Sequence, residues 1–198
     1  MNNKHLEELI YRADMVRQDV RDEFGNLSTF QLNWKPSPEQ WSIAQCLHHI
    51  IVADEAYLSD LDKILNGKYT RPLWSLVPGK SAFWGKLLLS LMKSDSGKKL
   101  QTPAIFEPSS IKLTDEILSD FESHEQRVSD YLRKLDGVKN SNFYLKSPVS
   151  PYITYSLRDL EEVMVLHHER HFRQALQVSR LDKFPKSEKL NKSDDLNS

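Results

Sequence analysis

Four stretches of the chain carry apolar residues at intervals of three and four, the spacing that lines them up on one face of an α-helix. The first runs from about Lys4 to Leu27, with Leu6, Ile10, Ala13, Val16, Val20, Phe24 and Leu27 in its stripe. The second opens at Ser42, whose hydroxyl suits a helix N-cap, and carries Ile43, Leu47, Ile50, Tyr57, Leu61 and Ile64 before the stop signal Asn66-Gly67. The third opens at Thr114 and continues through Ile117, Phe121, Val128, Leu132 and Leu135 to Asp136-Gly137. Its leading Asp115 and Glu116 suit the positive end of a helix dipole. The fourth opens at Ser156, with Asp159 at capping-box spacing, and runs through Leu160, Met164, His167, His171, Ala175 and Val178 to about Leu181.

The connections complete the predicted architecture. A loop stiffened by Pro36 and Pro38 joins the first two helices. The segment between the second and third helices is too long for a simple loop, and it predicts a short helix around Ser81 to Met92. Such a crossover lets the second and third helices run parallel. Residues 138–155, with Pro148 and Pro151, read as an extended loop, and residues 184–198 read as a disordered tail. The expectation is one all-α domain over residues 1–183, a four-helix bundle with a long crossover between helices two and three.

Composition narrows the function. A chain of 198 residues can bury one sizeable core without staples. With 27 basic and 28 acidic residues, the net charge of −1 offers no field for nucleic acid or an anionic membrane, so neither is expected as a partner. The single cysteine, Cys46, cannot close an internal disulfide, which points to a reducing compartment, the cytoplasm. The N-terminus turns polar at once, unlike a secretory leader, and the longest apolar run, Leu87 to Met92, is broken by Ser90 and too short to span a bilayer.

The candidate chemistry lies in the histidines. Five of the seven fall in two clusters, His48-His49 and His167-His168-His171. His167 and His171, four apart on the inner stripe of the fourth helix, stack on one face, close enough to share an ion. His168 lies about 100° further round and points to a flank. Spacing alone leaves two readings, a metal site or hydrogen-bonded core histidines. Cys46, three before His49, reads as a small buried hydrophobe rather than a ligand. His124, on the inner stripe of the third helix, reads as a core histidine with a reserve role as ligand or proton carrier.

Three motifs extend this reading. Trp41-Ser42-Ile43-Ala44-Gln45-Cys46-Leu47-His48-His49-Ile50, after Pro36-Ser37-Pro38, resembles the start of the second helix in the DinB/YfiT-like superfamily. There a Trp-Ser pair leads to a metal-binding histidine eight residues after the Trp. His167-His168-Glu169-Arg170-His171-Phe172-Arg173-Gln174 resembles the H-x-x-x-H-x-x-Q pattern of the last helix, and Thr102 to Pro108 resembles the proline-containing segment before the third. The resemblance covers roughly residues 5–181. It implies His49, His167 and His171 as ligands of one divalent metal ion, Zn or Ni foremost, with Gln174 as the accompanying glutamine. His48 sits beside His49, and the count from Trp41 favours His49.

The resemblance further implies a homodimer and a metal-dependent enzyme, either a hydrolase or a thiol-S-transferase, with a small-molecule substrate and a low-molecular-weight thiol as possible cosubstrate. The competing reading is a non-catalytic, metal-stabilised stress-response or interaction protein. Gln174 and Asp54 are candidates to accept ligand ring N–H groups. Trp74, Phe83 and Trp84 of the crossover are candidates either to wall an apolar substrate pocket or to cap the bundle end.

Overall fold

The computed structural model describes residues 3–93, 102–110, 112–138 and 143–186. Among the described residues six helices form: α1 (Lys4–Phe24), α2 (Thr29–Asn33), α3 (Ile43–Leu65), α4 (Lys80–Lys93), α5 (Glu116–Leu135) and α6 (Leu157–Ser179). Two 3-10 turns, Leu73–Leu76 and Ala104–Phe106, lie in the crossover, and two short strands, β1 (Tyr144–Ser147) and β2 (Ser150–Ser156), precede α6. The all-α expectation is met, and α4 is the crossover helix that the pattern predicts.

The capping residues act as read from the sequence. Ser42 and Ser156 each accept an N–H from the third helical residue, and Gln45 and Asp159 reach back to close capping boxes. A third box, Ser28 with Gln31, was not read from the pattern. It starts α2, so the first helix stops at Phe24 rather than Leu27.

The four long helices α1, α3, α5 and α6 form the bundle. Cross-links set their directions. Asp54 meets His124 and Asp62 meets Tyr131, so α3 and α5 run parallel. Arg21 meets Glu122 and Asp14 meets Ser129, so α1 and α5 are antiparallel. Parallel neighbours cannot be joined by a short turn, which is why the crossover is long. From the C-terminal end of α3 it climbs back along α6, where Lys93 pairs with Glu162, to the end where α3 begins. There the turn Ala104–Phe106 lies against α3.

Residues 138–155, expected as an extended loop, instead hold an antiparallel hairpin with Leu145 opposite Tyr155. Both side chains are buried in the core, and the Tyr155 hydroxyl lies 2.6 Å from that of Tyr57. The prolines that suggested a loop fit the hairpin: Pro148 lies in its turn, and Pro151 lies near the start of β2 in a sheet that is two-stranded among the described residues. Of the tail expected over 184–198, Phe184 packs edge-on against Trp34 at 5.6 Å, and residues 187–198 lie outside the described residues.

The core has two apolar halves. One gathers Leu6, Leu9, Leu61, Leu132, Leu157 and Leu160 near the hairpin. The other gathers Phe24, Ile43, Leu47, Phe121, Phe172 and Ala175 at the opposite end. Between them lies a polar layer, the site described next.

Candidate metal centre

α3 and α6 run antiparallel, so the first third of α3 meets the last half of α6. This brings His49 against His167 and His171. One ring nitrogen from each of the three lies within 4.8 Å of the others. Nε2 of His49 stands 3.0 Å from Nε2 of His167. His49 and His171 are buried, and His167 is partly so.

The outward nitrogens are fixed. Nδ1 of His49 lies 2.6 Å from the Phe106 carbonyl, and Nδ1 of His171 lies 2.9 Å from Oε1 of Gln174. Each oxygen only accepts, so each Nδ1 carries the proton and each Nε2 keeps its lone pair. Burial lowers the pKa of all three rings, and in His167 and His171 the neighbouring imidazoles lower it further, to about 3 for His167. Three neutral imidazoles, each with a ring nitrogen within 4.8 Å of the others, are the donor set of a divalent ion. The residues present therefore fit a metal.

His48 lies outside this cluster. It is half-buried, and its Nδ1 accepts the N–H of Ser109 at 3.2 Å. The count from Trp41 thus selects the histidine that converges. Trp41 itself stands over the site, its ring 4.7 Å from His49 and 5.6 Å from His171. Trp74, Phe83 and Trp84 are elsewhere: Trp74 stacks on Tyr152 of the hairpin, at the other end of the bundle. Cys46 is fully buried in the apolar half with Phe24 and Phe121, and burial pushes its thiol pKa up.

A second polar cluster adjoins the first. Oδ2 of Asp54 accepts from Nε2 of His124 at 2.8 Å and from Nε2 of His168 at 2.7 Å. Nδ1 of His168 lies 2.9 Å from Oε1 of Glu125. All four side chains are buried. His168, expected on a flank, is therefore enclosed, because α6 packs against α1, α3 and α4 and has little solvent-facing flank. With a carboxylate at each ring nitrogen His168 donates twice, so it is an imidazolium. Burial alone would lower its pKa; Asp54 and Glu125 outweigh that and raise it well above the usual value. The same contacts overcome burial to hold Asp54 well below the usual carboxylate range. Asp54 thus serves His124 and His168 rather than a cluster ring, and the Phe106 carbonyl takes the role at His49.

The sequence carried a signal for this cluster. Asp54 sits four residues after Ile50 and four before Leu58, a charge on a buried stripe. His124 and Glu125 sit likewise between Phe121 and Val128. A buried charge needs a partner, and here they partner each other.

Fold and site together define a class: a crossover four-helix bundle with a three-imidazole pocket in the polar layer of its core. The DinB superfamily family model matches residues 12–175, and the chain belongs to that superfamily. Neither the curated proteins nor the solved structures yield a match to the chain.

Proposed function

We propose that this chain is a metal-dependent enzyme acting on a small molecule, with His49, His167 and His171 as the ligands of one divalent ion, Zn or Ni. The observation that carries this reading is the convergence of three neutral imidazoles whose outer N–H groups on His49 and His171 are already fixed. Three protein ligands, rather than a closed set of four, favour catalysis over a purely structural ion. When bound, such an ion supplies Lewis acidity and open positions for water or a thiol cosubstrate.

The chain's own residues supply the rest. The Phe106 carbonyl and Gln174 hold two rings in the ligating tautomer and orientation. Trp41 shields the centre with an apolar face. The reading includes a cytoplasmic homodimer. The buried lone thiol of Cys46 suits a reducing compartment, and light scattering on the purified protein tests the dimer.

Elemental analysis after incubation with Zn or Ni tests the centre. Wild type is expected to hold one ion per chain and His171→Ala to lose it; a wild type without stoichiometric metal ends the proposal. Turnover of a chloronitrobenzene only when a thiol is present selects the transferase, and ester or amide cleavage without thiol selects the hydrolase. Gln174→Ala, which frees the His171 ring, is expected to weaken metal affinity about 10–100-fold. Competition with a chromogenic chelator measures it, and an unchanged affinity removes Gln174 from the site.

A further inference from the structure

We propose that the hairpin end of the bundle, with the turn Leu73–Leu76 and the flanking α4, docks onto an anionic lipid bilayer. The near-neutral total hides a local asymmetry. Residues 67–93 and 143–156 hold six basic residues, Lys68, Arg71, Lys80, Lys86, Lys93 and Lys146, and no Asp or Glu. The other segments hold 21 basic against 28 acidic residues; of those acids Asp60, Asp159 and Glu162 border this end, so its six cations face three anions. Of the six, Lys93 is paired, with Glu162.

The same end exposes large apolar side chains. Leu73 is 79 % exposed, Phe83 60 %, Leu76 59 % and Tyr152 57 %. They come from three separate segments held together by packing. Trp74 stacks edge-on against Tyr152 at 5.0 Å, and Lys80 lies over the Trp74 ring at 4.1 Å. α4 buries Ser81 and Gly85 on its inner face and turns Phe83, Lys86 and Leu87 outward. Exposed apolar residues clustered in this way mark an interaction site. Aromatic and aliphatic side chains set among more cations than acids match the headgroup region of an anionic membrane.

Charge decides between occupants. A second copy paired through this end by a two-fold axis would set six cations against six. A bilayer carrying anionic headgroups attracts this end and repels the acidic remainder, which fixes orientation. No helix of the described residues is long and apolar enough to cross a membrane, so the contact is superficial.

The test is flotation of the full-length, metal-incubated protein with vesicles of phosphatidylcholine alone or with phosphatidylserine. Wild type is expected to float with the anionic vesicles at low salt, to detach at high salt, and to ignore the neutral ones. Lys80→Glu/Lys86→Glu and, independently, Leu73→Glu/Phe83→Glu are expected to weaken partition at least about tenfold. All four positions are exposed or partly so, and unchanged thermal midpoints verify folding. No flotation at low salt overturns the proposal, as does flotation that both variants share equally. Retention on an acidic polypeptide without flotation overturns it in favour of an acidic protein partner. Dimers that Leu73→Glu/Phe83→Glu abolishes, without flotation, overturn it in favour of a second copy.

Discussion

Asp54→Ala is expected to cost about 3–5 kcal/mol of unfolding free energy, measured by urea denaturation at neutral pH. The carboxylate is 2 % exposed and accepts from two histidines on two other helices. Its removal leaves Nε2–H of His124 and of His168 buried without an acceptor, and leaves the His168 imidazolium with Glu125 alone. Asp54→Asn keeps the shape and one acceptor oxygen, so its loss should be smaller. Glu55→Ala, one residue on, removes an ion pair with Arg127 that is 46 % exposed on both sides, and should stay within about 1 kcal/mol. The pH dependence separates charge from packing. His168 has a raised folded pKa, so its stabilisation is complete below the unfolded value of 6.5 and fades as pH climbs through the folded value. Wild type should therefore lose stability on the alkaline side, and Asp54→Ala should lose less there. An Asp54→Ala protein as stable as wild type would show that the buried cluster is not held by charge.

The long elements were legible because their burial follows one period. Leu6 through Phe24, Ile43 through Ile64 and Ile117 through Leu135 each pack one stripe against the same core. The short ones escaped for physical reasons. α2 has five residues and buries only Leu32, so it shows no period, and Leu27 continues the apolar stripe of the first helix past its end at Phe24. The hairpin buries Leu145, Thr154 and Tyr155 between prolines that signal turns in any context. The centre was legible where the chain has a local ruler: the count from Trp41 and the four-residue step from His167 to His171 both lead into the cluster. What spans helices was not. A helical wheel shows where His168 points but not that α3 and α5 stand there with Asp54 and Glu125. The carbonyl of Phe106 belongs to a backbone whose path a side-chain pattern does not describe.

In the metal-free protein, stability is expected to fall steeply as pH drops below about 6.5, the unfolded histidine value. His49, His167 and His171 have lowered folded pKa values, His167 to about 3. In this window the unfolded chain takes up protons that the folded rings refuse, so stability rises with pH and is lost on acidification. Each ring contributes up to about 1.4 kcal/mol per pH unit over the interval between its unfolded and folded pKa. Asp54 adds nothing until far lower pH. Its depressed pKa keeps it ionised when folded, and its stabilisation is lost only as pH falls from about 3.9 toward that depressed value. The acid limb below about pH 6.5 therefore belongs to histidines kept neutral, chiefly these three, with His5 and His48 also lowered by burial. The triple variant His49→Gln/His167→Gln/His171→Gln should flatten it, read as urea midpoints across that range; an equally steep limb in the variant would assign the acid sensitivity elsewhere. Protons and a divalent ion compete for the same three lone pairs, so metal occupancy should fall over the same window. An ion bound only by the folded state adds stability by mass action, and acid should withdraw both contributions together. Neutral rings that cost stability in acid are also what keeps the lone pairs free for the ion at neutral pH.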